Sequence, residues 1–131
     1  ADTPQGLLVP VLRDVATHSI DDIATESRRL VEGARHNRLG LDDLAGGSFT
    51  VSNLGMFGIS RFTAIINPPQ VAILAVGAIE PTVVALGKDG MAVRPVLRLT
   101  LSADHRAIDG AMAARFLQRL KDTLETPGLL A

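Results

Sequence analysis

Gln70 to Ile79 is almost wholly apolar and rich in Val and Ile. At ten residues it is far short of the roughly 18 to 20 that cross a bilayer, and Glu80 and Pro81 follow it at once. An apolar run of this length predicts a strand buried on both faces. The rest of the chain must then supply its neighbours and its cover, which points to a sheet with helices packed on it.

The neighbours are legible from periodicity and turn chemistry. Phe49 to Ser52 alternates as a half-buried strand should, and Asn53 to Gly58 breaks it. Asn67, Pro68 and Pro69 predict a rigid turn into the apolar run. A second strand at Thr82 to Leu86 and a third at Met91 to Leu101 flank Gly87 to Gly90, whose glycines suit a hairpin. Leu97, Leu99 and Leu101 turn one apolar face to the core, and Gly90 and Pro95 punctuate the strand. Upstream, Leu7 to Leu12 reads as an edge strand bounded by Pro4, Gly6 and Pro10.

Two helices complete the pattern. Ser19 precedes Ile20, Ile23, Leu30, Val31 and Ala34, spaced as one helical face, with Asp21 and Asp22 in the first turn. This predicts a helix over Ile20 to Arg38, ended by Gly40. Met112, Ala113, Phe116, Leu117, Leu120 and Leu124 form a second stripe that should cover the sheet. The expected architecture is an α/β two-layer sandwich with a mixed sheet. Three strands in succession argue against a doubly wound nucleotide fold, and no G-x-G-x-x-G or Walker pattern is present.

Composition narrows the function classes. With 131 residues and 47% apolar content, one domain, or part of one, is expected. Thirteen basic against fourteen acidic residues leave no electrostatic footprint for nucleic acid or an anionic membrane. The absence of cysteine removes a thiolate nucleophile and cysteine-ligated metal, and the three histidines lack zinc-site spacing, so no metal is expected. The start at Ala1, with neither an initiating Met nor a signal-peptide pattern, suggests a fragment of a soluble protein. The stretches Gly55 to Gly58 and Gly87 to Gly90 share the G-x-x-G spelling of an RNA-clamping loop, but their contexts do not fit that module.

Chemistry concentrates in Leu99 to Met112. His105 stands where the third strand ends, beside Asp104, Arg106 and Asp109, and a neutral imidazole there can take a proton near neutral pH. The competing explanation is an ordinary loop histidine, with Asp109 an ordinary helix N-cap before Gly110. His18 and His36, in polar surroundings at either end of the first helix, are expected to be solvent-exposed.

A resemblance shifts that balance. D-H-R-A-I-D-G at Asp104 to Gly110 resembles the H-x-x-x-D-G signature of the dihydrolipoamide acyltransferases, the E2 components of 2-oxoacid dehydrogenase complexes, and of the related chloramphenicol acetyltransferases. Phe49 to Gly58, Ile65 to Leu74 and Ala1 to Pro10 resemble three further E2 blocks in the expected order. The resemblance implies a chloramphenicol acetyltransferase-like fold and identifies the chain as the C-terminal portion of a single E2 catalytic domain spanning 1–131, without the lipoyl and peripheral-subunit-binding domains.

The site roles follow from the same resemblance. His105 corresponds to the general base that deprotonates the thiol of coenzyme A or dihydrolipoamide, and Ser52 to the hydroxyl that hydrogen-bonds the oxyanion. Asp109 is expected to cap the helix and fix the loop that aims His105. Asp2, Asn53, Gly77 and Ile79 are implied as coenzyme A contacts. The lipoyl group would be carried on a domain outside this chain, as would the contacts to the E1 and E3 components. The family's active site lies between subunits of a homotrimer that builds a large hollow core, and the apolar tail Leu129-Leu130-Ala131 fits its contacts between trimers. Asn53 to Ile59 most resembles acetyl-transferring members, leaving a branched-chain or succinyl-transferring E2, or a non-catalytic E2-like scaffold subunit, as alternatives. With only Lys88 and Lys121 against eleven arginines, the composition suggests a GC-rich bacterial genome, hence a cytoplasmic location, or the mitochondrial matrix if the source is eukaryotic.

Overall fold

The first strands are short. β1 (Asp2–Thr3) and β2 (Gly6–Leu7) pair antiparallel in the computed structural model, which describes residues 1–4, 6–126 and 128. The strand expected over Leu7 to Leu12 does not extend beyond Leu7. Pro10 has no N–H to give a ladder; beyond Leu7, Leu8 and Ala1 exchange a reciprocal pair of bonds, and Val11 N–H donates to the Asp43 carbonyl. The tail contact expected at Leu129-Leu130-Ala131 lies outside the described residues.

Helix α1 (Ile20–Arg35) begins as its sequence predicts. The Ser19 hydroxyl accepts from Asp22 N–H, and the Asp22 carboxylate accepts from Ser19 N–H, a reciprocal capping box. Its end falls three residues short of Arg38. Asn37 takes the left-handed conformation (φ 53°), Arg38 N–H donates to the Gly33 carbonyl at 2.8 Å, and Asn37 N–H donates to Ala34 at 3.1 Å. Asparagine thus stops the helix before Gly40 is reached. Leu39 folds back over Gly33, where a Cβ would collide with its side chain. His18 and His36 are exposed, as expected. This helix and the short strand pair belong to one compact unit, Ala1–Ser48, and Phe49–Ala131 forms a second.

The second unit holds the mixed sheet, in the order β3 (Thr50–Asn53), β4 (Ala72–Ala85), β5 (Met91–Ala103). β3 runs parallel to β4 and β5 antiparallel to it. A parallel pair requires a crossover, here the stretch 54–71, which is irregular apart from a 3-10 turn at Gly55–Phe57. The rigid turn expected at Asn67 to Pro69 is present, closed by Gln70 N–H on the Asn67 carbonyl.

Two expected strands are one. β4 runs without a break through Pro81, because Pro81 sits directly opposite Pro95 where β4 has only β5 as a neighbour. The missing N–H groups can face open edges there, and the ladder continues. Burial on both faces holds for Ala72 to Ala75 and for Gly77, but Ile79 is 69% exposed. The reason is topological: β3 ends at Asn53, opposite Val76, so β4 loses a neighbour beyond that point.

The same point carries a register shift between Val76 and Ile79. Around it Leu54 N–H donates to Val76 and Ala78 N–H to Ile59, so the crossover is bonded onto the bulged strand. Gly77 lies against the backbone of Ile59 and Ser60, and Gly55 against the backbone of Gly77; a Cβ at either glycine would strike main chain.

Helix α2 (Gly110–Glu125) lies against β5, and Phe116 packs on Phe49 with ring centroids 5.8 Å apart. The expected stripe is only partly covered. Ala113, Leu117 and Leu120 are half-buried, whereas Met112, Phe116 and Leu124 remain more than 40% exposed. Replacing Gly77 with Ala drives a methyl group into the Ser60 carbonyl and should cost about 1–3 kcal/mol or more. Thermal unfolding should show a midpoint several degrees lower, and an unchanged midpoint would contradict this packing.

Candidate active site

The expected site residues of the second unit are distributed over three local structures. The first is the exit of β5. Ala103 pairs with Ala72, and the next residue, Asp104, extends the contact by donating its N–H to the Val71 carbonyl at 2.8 Å. The Asp104 carbonyl then accepts from Ala107 and Ile108 N–H, which winds 105–107 into a tight turn. Its carboxylate accepts from Arg106 N–H at 3.0 Å and takes the Arg106 guanidinium in a forked pair, with Nη2 at 2.6 Å from Oδ2.

His105 sits between these two anchored residues. It is exposed, and its ring makes no hydrogen bond among the described residues. Hydrogen bonds from Arg106 and its positive charge hold the Asp104 carboxyl well below the usual carboxylate range, at about 2 rather than 3.8. A depressed folded-state pKa means the clamp's contribution is fully present above about pH 4 and is lost as pH falls through about 2.

The second local structure is the start of α2. Asp109 is extended (ψ 163°), and its Oδ1 accepts from Met112 N–H at 2.7 Å. It is the helix N-cap the sequence predicts. No hydrogen bond joins it to His105, so its influence on that residue runs through the backbone.

The third is the end of β3. Ser52 pairs with Ala75, is half-buried, and its hydroxyl has no partner among the described residues. It shares a sheet face with Thr50 and Ser102, whose hydroxyls are spent on Gln70 and on the Ala64 carbonyl of the crossover. Asn53 is exposed and uses its side-chain oxygen to accept from Gly55 N–H at 2.9 Å, which opens the 3-10 turn. Gly77 is buried under Ser60, Ile79 exposes an apolar side chain, and Asp2 is exposed on β1 in the first unit.

Register sets the separation of the two candidate reacting groups. Ser52, Ala75 and Thr100 lie abreast across the sheet, and His105 follows five residues after Thr100. With strands about 4.8 Å apart and about 3.3 Å per residue, Ser52 and His105 lie on the order of 15–20 Å apart. A hydroxyl must approach within about 3 Å of a carbonyl oxygen to stabilise it. One copy of the chain therefore does not bring both groups to one carbonyl. Asp104 and Arg106 flank His105 in the sequence, where neither has an evident role. The available signal was an Asp two residues before an Arg at a strand exit.

The family model for the 2-oxoacid dehydrogenases acyltransferase catalytic domain matches residues 1–131. The chain is 49% identical over 127 residues to the mitochondrial dihydrolipoyllysine-residue acetyltransferase component of the pyruvate dehydrogenase complex of Schizosaccharomyces pombe, covering 95% of this chain and 26% of that protein. It is 47% identical over 128 residues to the mitochondrial succinyltransferase component of the 2-oxoglutarate dehydrogenase complex of Mus musculus, covering 98% and 28%. Among solved structures, Azotobacter vinelandii dihydrolipoamide acetyltransferase superimposes with a TM-score of 0.93 at 44% identity, over 98% of this chain and 53% of that one. That enzyme is the subject of crystallographic and enzymatic investigation of a serine, a histidine and an asparagine four positions after the histidine in its catalytic mechanism. The cubic core of a pyruvate dehydrogenase multienzyme complex gives a TM-score of 0.94 at 45% identity, over 99% and 53%. The chain spans about a quarter of the length of these relatives and about half of the solved chains. The fold is that of the E2 catalytic cores, chloramphenicol acetyltransferase-like, as the sequence resemblance implied.

Asp109→Ala should lose about 1 kcal/mol of stability, while Asp109→Asn, which keeps the accepting oxygen, should lose only a few tenths. Denaturant unfolding of the three proteins measures this, and equal stability of all three would contradict the capping role.

Proposed function

The chain belongs to the 2-oxoacid dehydrogenases acyltransferase (catalytic domain) family, and we propose that it is the C-terminal part of a catalytic domain that moves an acetyl group between dihydrolipoamide and coenzyme A. The observation that carries this reading is the presentation of His105. It is an exposed imidazole with no hydrogen-bond partner among the described residues, on a turn whose backbone is fixed on both sides.

A free thiol with a pKa near 8.5 is only a few per cent ionised at neutral pH, so a base at the thiol raises the supply of nucleophile. His105 takes the proton from sulfur, the thiolate adds to the thioester carbonyl, and the Ser52 hydroxyl donates to the oxyanion. Collapse expels the second thiolate, which recovers the proton from His105. The separation of Ser52 and His105 within one chain favours a site completed by a second copy, in a homotrimer that assembles into a larger core. Asp109 holds the helix start and the loop; the asparagine at the same spacing after the histidine in the Azotobacter enzyme supports a positioning role over proton relay, since a carboxamide caps a helix but does not ionise. Asn53 and Ile79 offer exposed side chains to coenzyme A; of the other two contacts the resemblance implies, Gly77 is buried under Ser60 and Asp2 is exposed on the first unit.

The acetyl assignment rests on Asn53 to Ile59 and on the pyruvate dehydrogenase relatives, and the succinyltransferase relative supports succinyl as the second reading. The lipoyl group and the contacts to E1 and E3 belong to other domains. The arginine-rich composition favours a bacterial cytoplasm; the fission yeast and mouse relatives are mitochondrial.

The test is acyl transfer from acetyl-, succinyl- and isobutyryl-coenzyme A to dihydrolipoamide by the full-length protein. His105→Ala should lower kcat by about 10²–10⁴-fold, and Ser52→Ala by about 10²–10³-fold. Acetyl should be the preferred group. Undiminished transfer by His105→Ala would favour a scaffold role and overturn the catalytic reading.

A further inference from the structure

We infer that Asp104 is a positioning residue for His105, holding the base in place through the fixed turn it anchors. The inference rests on the acyltransferase reading above, and it concerns a residue to which that reading gives no task.

Every polar group of Asp104 is committed around the histidine. Its N–H is tied to Val71 at the end of β4, its carbonyl accepts from Ala107 and Ile108, and its carboxylate accepts from the N–H and the guanidinium of Arg106. The His105 main chain therefore runs between two anchors, Asp104 N–H on one side and Arg106 N–H on the other. The ring itself has no hydrogen bond among the described residues, so the direction of its Cα–Cβ bond is set by that backbone alone.

Stability does not account for the arrangement. The Arg106 side chain is 91% exposed, and ion pairs in such surroundings contribute little to folding. What the clamp supplies is aim, and a displacement of about 1 Å in a reacting group can cost on the order of 100-fold in rate. The Asp104 carboxyl stays ionised at every pH where the enzyme would work, because Arg106 keeps its pKa near 2. Its effect is therefore constant with pH, unlike that of a group sharing the proton.

The experiment compares Asp104→Ala, Asp104→Asn, Arg106→Ala and His105→Ala in the full-length assembled protein, with acetyl-coenzyme A and dihydrolipoamide. Asp104→Ala should lower kcat about 10- to 100-fold, with KM for coenzyme A within about twofold, and by the same factor at each pH across the neutral range. Asp104→Asn keeps an oxygen for the Arg106 N–H, and Arg106→Ala keeps both that N–H and the carboxylate. Both should recover most of the lost rate while remaining several-fold below the parent, and they carry the test if Asp104→Ala does not fold. Parental kcat in all the folded variants, a loss confined to KM, or a loss that tracks a lowered unfolding temperature would overturn the inference. If His105→Ala is inactive while the Asp104 variants match the parent, this inference alone fails. If His105→Ala is fully active, the acyltransferase reading fails with it.

Discussion

Pairing on both sides of β4, in opposite senses, is the constraint from which the second unit follows. The parallel partner β3 obliges the chain to travel back across the sheet, which creates the crossover 54–71. The antiparallel partner β5 returns the chain to the level of Ala72, so the turn bearing His105 emerges where the crossover re-enters the sheet. Asp104 N–H on the Val71 carbonyl is the bond that joins those two events. Where β3 ends, β4 shifts register at Gly77, and the crossover packs its backbone into the space that only glycine leaves.

Polar groups in this unit separate into those that are spent and those that are spare. Thr50, Asn53, Ser102, Asp104 and Asp109 all use their side-chain oxygens to tie backbone or neighbouring side chains. Among the described residues Ser52 and His105 do not, and neither do Thr100, Ser60, Thr63 and Asn67. A group left without a partner at a defined position is available to a ligand; the motif resemblance is what singles out Ser52 and His105 among these groups as the proposed reacting pair. The same sheet holds them on the order of 15–20 Å apart, which is the ground for proposing that a second copy completes the site.

What was legible in the sequence was local. Ser19 with Asp22 marks the start of the first helix, Asp109 with Gly110 marks the start of the second, and Gly87 to Gly90 marks the hairpin, because each depends on bonds between residues a few positions apart. What was not legible depends on pairing. Pro81 looks like a strand end until Pro95 is found opposite it. Ile79 looks buried until β3 is seen to stop at Asn53. Asn37 stops the first helix before the more obvious Gly40 by taking a left-handed conformation that asparagine adopts and most residues avoid. In the site, His105 stands out at a strand exit and by resemblance. The work of Asp104 could not be read without knowing that the Val71 carbonyl lies beside it.

The central claim is that Ser52 and His105 act on one carbonyl contributed to by two copies of the chain. Coexpression of full-length Ser52→Ala and His105→Ala subunits, purified as mixed assemblies, tests it most directly. Each variant alone should be nearly inactive in acetyl transfer. Mixed assemblies should regain activity, because some interfaces then combine an intact serine from one subunit with an intact histidine from the other. Mixed assemblies no more active than either variant alone would contradict a shared site.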